Sequence, residues 1–265
     1  MANPLIDPSL AESADGPTLV AVAVDSEFGR ITPAHHHARG QLLGASRGLL
    51  SVGTETNRWV VPAVHCVWLP PHHRHSMRSH GPFTGWSVYV AEPACADLPD
   101  QPCIVRTSGL LREAVARAAD WAPGPWLPPQ VHLGAVILNE IRTLPREQFN
   151  LPLPTDPRLL KISRAFLEDL SDDRRLDGWA VWAGVSARTI TRRFPLETGY
   201  SFTEWRQRAR LMRALEMLAA EMPVTTIALD LGYETVGAFI ALFRRTFGVT
   251  PTKYFASLAD SGSGV

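Results

Sequence analysis

The sequence predicts an α+β chain of several domains: an N-terminal β-barrel, two connecting helices, and a C-terminal all-α domain with two helix-turn-helix units. Three observations predict this fold class. Short apolar runs separated by turn residues fill the first hundred or so residues, and then four prolines, Pro145, Pro152, Pro154 and Pro157, interrupt the chain. Beyond them, a pattern of glycines, hydroxyl residues and aromatics occurs twice, at a spacing of 49 residues. We expect the boundaries at 1–106, 107–144, 145–157 and 158–258.

Composition and charge place the chain among ordinary globular proteins. Of its 265 residues, 45% are hydrophobic and 20% charged, and the net charge is zero. No apolar stretch reaches the roughly 18–20 residues that a membrane span requires, and the polar N-terminus does not have the pattern of a secretory signal. Three cysteines, Cys66, Cys95 and Cys103, are a poor basis for a disulfide framework. We therefore expect a cytoplasmic protein with no membrane partner.

The first half predicts short strands followed by two helices. Each strand is an apolar run bounded by turn residues; the runs are Gln41–Leu43, Leu49–Val52, Trp59–Val61, Val64–Leu69 and Gly85–Val90. Helices are predicted over Leu110–Trp121 and Val131–Leu144, the second with Val131, Ala135, Leu138 and Ile141 or Arg142 along one face. These helices either form a dimer interface or pack onto their own barrel. The proline-rich segment after them predicts a stiff, extended linker.

The C-terminal half carries an internal repeat with a physical reason at each position. Ser186, Ile190, Phe194, Gly199, Ser201 and Trp205 recur as Thr235, Phe239, Phe243, Gly248, Thr250 and Tyr254, and Ala180 and Gly184 recur as Ala228 and Gly232. The alanines permit close approach of helices, the glycines end helices, and the hydroxyl residues cap the helices that follow. The apolar pairs four residues apart share one buried helix face. The repeat therefore predicts two helix-turn-helix units.

One long helix, Phe202–Ala219, is predicted between the two units. Its length of about 27 Å, at about 1.5 Å per residue, suits a separation of the two reading helices near one turn of DNA, about 34 Å. The net charge of this part is positive, as DNA binding requires, because residues 155–258 hold 15 Lys and Arg against 12 Asp and Glu. The alternative is a helical bundle whose arginines are solvated and which has no role in DNA binding.

Residues 176–256 resemble the DNA-binding domain of AraC-type transcriptional regulators. The matching segments are Ile227–Glu234, Ala238-Phe239, Phe243–Arg245 and Gly248–Tyr254 in the second unit, and Ser186, Arg188-Thr189, Arg192–Phe194 and Glu197–Gly199 in the first. The resemblance implies that one helix of each unit enters the major groove. In the first unit the implied DNA-binding residues are Arg188, Thr189, Thr191, Arg192 and Arg193. Because arginine pairs bidentately with guanine, Arg188 and Arg192 are the candidate base readers.

The matching positions of the second unit have different chemistry. They are Val236, Gly237, Ala238 and Ala241, which can touch a thymine methyl or permit close backbone approach but cannot make a bidentate contact. Thr235, at the helix start, and Arg244 and Arg245 are expected to bind phosphates; the alternative for the two arginines is plain surface solvation. We predict that the first helix-turn-helix unit carries most of the sequence specificity. Pro195 departs from the family pattern and predicts an early end or a kink of the first reading helix.

The histidines of the first half resemble the two motifs of cupin barrels. Eight of the nine histidines lie between His35 and His80. His35, His37 and Gln41 match the first motif and His75 the second, and the resemblance implies His35, His37 and His75 as ligands of a divalent metal such as Zn, Fe or Ni. Gln41 stands where metal-binding cupins have a glutamate, and His72 where a glycine is expected. The alternatives are a small-molecule pocket lined by these histidines, or polar residues packed in the core.

The whole arrangement resembles AraC-type regulators with a short cupin-like sensor domain. Ligand pockets are apolar with a few fixed polar groups; the expected effector-binding residues are His37, Gln41, Trp68, His75 and Trp86. The implied function is a sequence-specific DNA-binding transcriptional regulator, controlled by a small-molecule effector and not an enzyme. The implied partners are promoter DNA, the effector, RNA polymerase and a second copy of the chain. The alternative is a metal-dependent cupin enzyme fused to a DNA-binding module.

Overall fold

In a computed structural model the chain is described at residues 5–14, 16–62, 65–122, 125–147 and 150–260. Val64, the first residue of one predicted strand, lies outside the described residues. Contacts divide the described chain into two compact units: residues 5–54 with 60–147 and 258–260, and residues 55–59 with 150–257. No described helix is both long enough and apolar enough to cross a membrane.

The first unit is built on an antiparallel sheet. Its strands in chain order are β1 (Leu19–Ser26), β2 (Ile31–His35), β3 (Gly40–Thr54), β4 (Asn57–Pro62), β5 (His65–Leu69), β6 (His75–Val90), β7 (Cys103–Arg106) and β8 (Arg146–Glu147). Of these, β4 begins in the second unit. The order in the sheet is β1, β6, β3, β5, β7, β8, with β2 also paired to β6. The sequence pattern thus predicted a multi-stranded sheet correctly, and the long β3 and β6 are its centre.

Two predicted strands merge into one. Gln41–Leu43 and Leu49–Val52 both lie in β3, whose register against β6 shifts between Ala45 and Leu49. Gly48 lies at this irregularity with φ of 84°, a conformation that β-branched and apolar residues avoid. The turn residues in this stretch therefore mark a bulge within a strand rather than its end. Strands β1, β2 and β7 were not predicted.

Two helices cover the core face of the sheet. They are α2 (Gly109–Ala119) and α3 (Pro128–Thr143), preceded near the N-terminus by the single turn α1 (Pro8–Ala11). Of the face predicted for α3, Ile141 is buried and Leu138 packs partly against the core, whereas Val131 is 50% exposed; Gly134 and Ile137 complete the buried face. Gly134 sets this face, since a Cβ there would lie 2.6 Å from the Trp126 ring. The glycine permits a close approach that hydrophobicity counting overlooks.

The second unit is helical, as predicted. Its helices are α4 (Pro157–Glu168), α5 (Leu176–Ala183), α6 (Ala187–Thr198), α7 (Phe202–Ala219), α8 (Val224–Asp230), α9 (Val236–Phe247) and α10 (Pro251–Asp260). Helices α5 and α6 form one helix-turn-helix unit and α8 and α9 the other. A short strand, β9 (Asn150–Pro152), pairs with residues 57–59 of β4, so the predicted linker is partly a strand. The long helix α7 has the predicted bounds.

The caps and turns of the repeat are confirmed. Ser186 and Thr235 accept hydrogen bonds from backbone amides in the first turns of α6 and α9. Gly184 and Gly232 have φ of 67° and 72°, the left-handed conformation expected after α5 and α8. The apolar pairs four residues apart are fully buried: Ile190 and Phe194 on α6, Phe239 and Phe243 on α9.

The expected early end of α6 at Pro195 is wrong. The helix continues through Pro195 to Thr198 and ends at Gly199 with φ of 78°. Proline removes one backbone hydrogen bond, but burial of Phe194 holds this turn against the core. In addition, the Thr198 hydroxyl donates to the Phe194 carbonyl at 2.7 Å. These interactions outweigh the lost bond.

Candidate nucleic-acid interface and small-molecule cavity

The outward face of α6 presents arginine side chains near the helix start. Arg188, Thr191 and Arg192 are exposed, and Thr189 is half-buried. The Thr191 hydroxyl donates to the Ala187 carbonyl at 3.0 Å, so its proton is engaged within the helix. The guanidinium groups of Arg188 and Arg192 are therefore the strongest donors that this face offers to a base edge.

The outward face of α9 is small and apolar near its start and cationic near its end. Gly237, Ala238 and Ala241 are exposed, and Val236 is half-buried. A shallow groove of about 590 Å³ runs along this face. Its lining residues are Gly237, Ile240, Ala241, Arg244, Arg245, Gly248 and Thr250. The groove lets a backbone or a base approach α9 closely, with cations at its far end.

When the repeat is aligned, the outward faces of α6 and α9 carry arginines at different positions. At the spacing of 49, Arg188 and Arg192 match Gly237 and Ala241, whereas Pro195 and Leu196 match Arg244 and Arg245. Leu196 is 79% exposed, so α6 has no cation at the place where α9 has one. Positive charge lies in the first half of α6 and in the second half of α9. The two helices consequently offer different sets of donors on their outward faces.

Arg193 differs from its neighbours on α6. Its guanidinium pairs with the Asp156 carboxylate at 2.5 Å and with the Glu197 carboxylate at 2.7 Å. An arginine already held by two carboxylates gains less from a phosphate than a free one does. The structure thus separates Arg193 from Arg188 and Arg192, with which the sequence had grouped it.

Three of the four arginines of α7, which contribute to the positive charge of this half, are structural: Arg206, Arg208 and Arg210. Their side chains donate to backbone carbonyls within the second unit: Arg206 to Arg174 and Asp172, Arg208 to Asn150, and Arg210 to Leu170. Burial lowers the pKa of all three guanidinium groups, although each stays charged at neutral pH. Net charge alone therefore overstates the cations that face solvent.

In the compact unit that contains the sheet, three histidines meet: His35 at the end of β2, His37 in the connection to β3, and His75 at the start of β6. One ring nitrogen each from His35, His37 and His75 lies within 4.8 Å of the others. Each Nδ1 lies beside a backbone carbonyl two residues away: Pro33 at 2.9 Å for His35, Arg39 at 2.7 Å for His37, and His73 at 2.7 Å for His75. Because a carbonyl only accepts, Nδ1 carries the proton and Nε2 presents a lone pair.

Burial keeps two of these imidazoles neutral. Burial lowers the pKa of His75 to about 3, against opposition from its hydrogen bond to the His73 carbonyl. Burial also lowers the pKa of His37. His75 Nε2 is buried without a hydrogen-bond partner among the described residues, and His37 Nε2 lies 3.3 Å from Gln41 Oε1. The cluster thus presents neutral nitrogen acceptors to whatever occupies the space before it.

That space is a cavity of about 260 Å³. The predicted residues His37, Gln41 and His75 line it. So do residues that the sequence did not single out, on the strands and on the N-terminal segment: Leu5, Ile6, Pro8, Ala11, Glu12, Arg30, Thr32, Leu43, Met77 and Tyr89. The N-terminal segment is fixed by Arg39, a fully buried side chain that donates to the Leu10 and Pro17 carbonyls at 2.8 Å. Strand alternation from Gln41 to Leu43 and from His75 to Met77 was the signal for part of this lining.

Trp68 and Trp86, predicted to bind the effector, do not line this cavity and belong to the packed core. Trp68 registers with Leu42, and Trp86 with Gly44, whereas the cavity residue Gln41 has the opposite parity on β3. Side chains of successive residues point to opposite faces of a sheet. Both tryptophans therefore pack in the cluster that includes α2 and α3. A Cβ at Gly44 would lie 2.6 Å from the Trp86 ring, which shows how tightly that face is filled.

His72 shows why glycine is expected at its position. Its φ is 62°, in the left-handed region, and its amide donates to the His37 carbonyl at 2.9 Å. The turn before β6 therefore ties the second histidine motif to the first. A non-glycine residue holds this conformation at a cost of about 1–2 kcal/mol.

Comparisons with known proteins agree with the helical unit. Residues 179–257 match the family model described as a helix-turn-helix domain. The chain is 30% identical over 228 residues to the HTH-type transcriptional regulator NimR of Escherichia coli (strain K12), covering 86% of this chain and 83% of that protein. It is 35% identical over 88 residues to the regulatory protein SoxS of Salmonella typhimurium, covering 33% of this chain and 82% of SoxS.

Among solved structures, ToxT from Vibrio cholerae aligns with 89% of this chain and 97% of its own. The identity is 12% and the TM-score 0.39.

Proposed function

This chain belongs to the AraC-type helix-turn-helix transcriptional regulators, and we propose that it reads its DNA site mainly with α6 and anchors the duplex with α9. The single observation that carries the proposal is the opposite placement of charge on the two helices. Arg188 and Arg192 are exposed in the first half of α6, and Arg244 and Arg245 are exposed toward the end of α9. Guanidinium groups at base edges specify sequence, whereas those at phosphates position the protein.

The chemistry of each helix follows from its side chains. A bidentate contact from an arginine to guanine discriminates against a wrong base by about 1–3 kcal/mol. The face of α9 at Gly237, Ala238 and Ala241 offers no such donor, so it contributes close packing and apolar contact with thymine methyls. The Thr235 helix start and the exposed Arg244 and Arg245 supply phosphate contacts.

The proposal is tested by selecting sites from random duplex DNA with the full chain. We expect one enriched sequence, whose affinity falls steeply as the salt concentration rises because phosphate contacts release counterions. Binding without any enriched sequence would contradict sequence-specific regulation.

We also propose that the cavity of the first unit binds a small-molecule effector through His37, Gln41, His75 and Tyr89. Its volume of about 260 Å³ is small, and neutral imidazoles, an amide and a phenol suit a compact, polar or heteroaromatic ligand. A screen for small molecules that raise the melting temperature tests this. A true cavity ligand stabilises the wild type and fails to stabilise Gln41→Leu, whereas Ser9→Ala, at an exposed site, leaves the response unchanged. Equal stabilisation of Gln41→Leu would place the ligand elsewhere.

A divalent metal at His35, His37 and His75 is a second candidate for this cavity, favoured by the lone pair left on each Nε2. The donor set fits: His75 Nε2 has no partner among the described residues, and His37 Nε2 faces another lone pair on Gln41. Hydrogen bonds from each Nδ1 to a carbonyl are the usual support of a metal-binding histidine. Isothermal titration with Zn²⁺ tests it. We expect saturable binding that His75→Ala abolishes and the exposed-site control His72→Ala retains; no binding to the wild type would exclude the site.

Regulation, rather than catalysis, is the activity that we propose. Gln41 occupies the position of the carboxylate ligand of metal-binding cupins, and a neutral amide binds a divalent cation more weakly than a carboxylate does. The relatives NimR and SoxS are named as regulators. Turnover of a substrate by the iron-loaded chain would overturn this proposal in favour of a cupin enzyme.

We propose that the chain acts as a homodimer through the outer face of α3. Its inner face packs on the sheet, while Leu127 and Val131 are 66% and 50% exposed and Ala135 is also exposed. Light scattering of the wild type and of Val131→Asp tests the proposal: a dimer that becomes a monomer supports it, and an unchanged mass excludes this face. RNA polymerase is proposed as a further partner on family membership alone.

A further inference from the structure

The carboxylate of Glu197 lies near the end of the reading helix α6 and binds the segment that precedes α4. Its Oε2 accepts hydrogen bonds from the Thr155 amide at 2.8 Å, the Asp156 amide at 2.9 Å and the Thr155 hydroxyl at 3.1 Å. Burial raises the pKa of Glu197, but the hydrogen bonds from Asp156 and Thr155 and the charge of Arg193 outweigh it, so the pKa is lowered. The group is thus held as a carboxylate.

Arg193 and Asp156 complete this contact, and we refer to Thr155, Asp156, Arg193 and Glu197 as the Glu197 cluster. Arg193 bridges both carboxylates of the cluster. Asp156 is buried and caps α4 by accepting from the Arg158 amide at 2.9 Å. The cluster therefore joins two helices, α4 and α6, at the residues where the chain enters the DNA-binding part.

The same entering segment is held at its other end by a piece of the N-terminal half. Asn57 Oδ1 accepts from Asn150 Nδ2 at 2.7 Å, and the Leu153 amide donates to the Thr56 carbonyl at 2.8 Å. Residues 55–59 belong to the second unit by their contacts, yet the chain on both sides of them runs into strands of the first unit. Trp205 and Arg208 of α7 donate to the Pro152 and Asn150 carbonyls at 2.7 and 2.6 Å.

We propose that Glu197 is a positioning residue through which the segment 150–156, and residues 55–59 paired to it, control the DNA affinity of α6. The proposal rests on α6 being the reading helix. Movement of residues 55–59 shifts the paired strand 150–152, and the Glu197 cluster passes the shift to α6, on which Arg192 lies about one turn before Glu197. Regulation then needs no ligand contact with α6. It needs only that the two positions of the segment 150–156, before and after the shift, give α6 different affinities for DNA.

The packing of α6 distinguishes a positioning role of Glu197 from a role in folding. Ile190 and Phe194 are fully buried, and they hold the helix in the core whether or not Glu197 is present. Loss of Glu197 therefore removes three hydrogen bonds that hold residues 155–156 to the helix without unfolding it, and the Arg193–Asp156 pair is the contact of the cluster that remains. A structural contact alone would lower stability but would not make the response of α6 depend on residue 57.

The experiment is a double-mutant cycle on the full chain with Asn57→Ala and Glu197→Ala. Its two readouts are the affinity for the DNA site selected by the wild type and amide hydrogen exchange of residues 150–156 and 194–199. Matched controls are Arg58→Ala, an exposed neighbour on β4, and Glu168→Ala, an exposed carboxylate on α4. Couplings of this kind change affinity by about twofold to thirtyfold.

We expect Asn57→Ala to change DNA affinity by about threefold or more and to speed exchange in both segments. In the Glu197→Ala background, we expect Asn57→Ala to have a much smaller effect on residues 194–199 and on affinity, because the Arg193–Asp156 pair is the contact of the cluster that remains. Both controls behave as the wild type. Additive effects of the two substitutions, or no effect of Asn57→Ala on residues 194–199, would overturn the proposal. A wild type that selects no DNA sequence would instead overturn the proposed function.

Discussion

Gly232→Ala measures how tightly the turn of the second helix-turn-helix unit is packed. Gly232 has φ of 72°, and a Cβ there would lie 2.9 Å from both Cα and O of Ser171. That backbone cannot easily give way, because Arg210 binds the Leu170 carbonyl at 2.7 Å and Ser171 is bonded to Asp169. Alanine thus meets two costs: about 1–2 kcal/mol for the left-handed conformation and about 1–3 kcal/mol for overpacking.

Gly184→Ala is the matched control. Gly184 ends α5 with φ of 67°, but nothing lies within 4 Å of a Cβ built there. Gly184→Ala therefore loses only the free energy of unfolding that the left-handed conformation costs, about 1–2 kcal/mol. Urea unfolding of both variants gives the two losses in free energy of unfolding. Hydrogen exchange of α7 and α9 shows how much of the loss falls on the second helix-turn-helix unit. We expect Gly232→Ala to lose about 1–3 kcal/mol more than Gly184→Ala. Equal losses would refute the packing of Gly232 against a fixed Ser171 backbone.

Three further predictions concern charge and strain. Arg206→Ala should lower the free energy of unfolding by about 2–4 kcal/mol, because its guanidinium donates to two carbonyls; unchanged stability in urea would contradict this structural role. Glu197→Gln should be less stable than the wild type at neutral pH. Since the folded pKa of Glu197 is lowered, this difference in stability should shrink as the pH falls below the ordinary value of 4.5. Urea unfolding at several pH values measures it, and a difference that grew at low pH would contradict a stabilising Glu197 carboxylate. His72→Gly should raise the melting temperature by relieving a φ of 62°, a gain of up to about 1 kcal/mol that calorimetry can detect; a lower melting temperature would contradict it.

The helical half could be predicted in detail because its signals are local. The cap at Ser186, the left-handed Gly184 and the buried pair Ile190 and Phe194 all act within about one turn of helix. Each is needed wherever a helix of this kind starts, turns or packs. The repeat then supplied the same evidence twice. Pro195 misled because its local cost is outweighed by burial of Phe194, which depends on the rest of the unit.

The cavity could be predicted only in part because strand faces depend on register. Gln41 and Trp68 look alike in the sequence as residues in apolar runs beside the histidines. Pairing of Trp68 with Leu42 places it on the opposite face, and no local signal fixes that pairing. The role of the α7 arginines was hidden for the same reason, since the carbonyl that Arg208 binds is 58 residues away in sequence.

The roles proposed for α6 and α9 are tested most directly by repeating selection from random DNA with Arg188→Ala and with Arg245→Ala. We expect Arg188→Ala to lose base preference at part of the site, by about 1–3 kcal/mol at the affected position. Arg245→Ala should keep the wild-type preference, bind all sequences more weakly, and show a salt dependence reduced by about one counterion. An unchanged preference for Arg188→Ala, or an altered one for Arg245→Ala, would contradict the division of labour between α6 and α9.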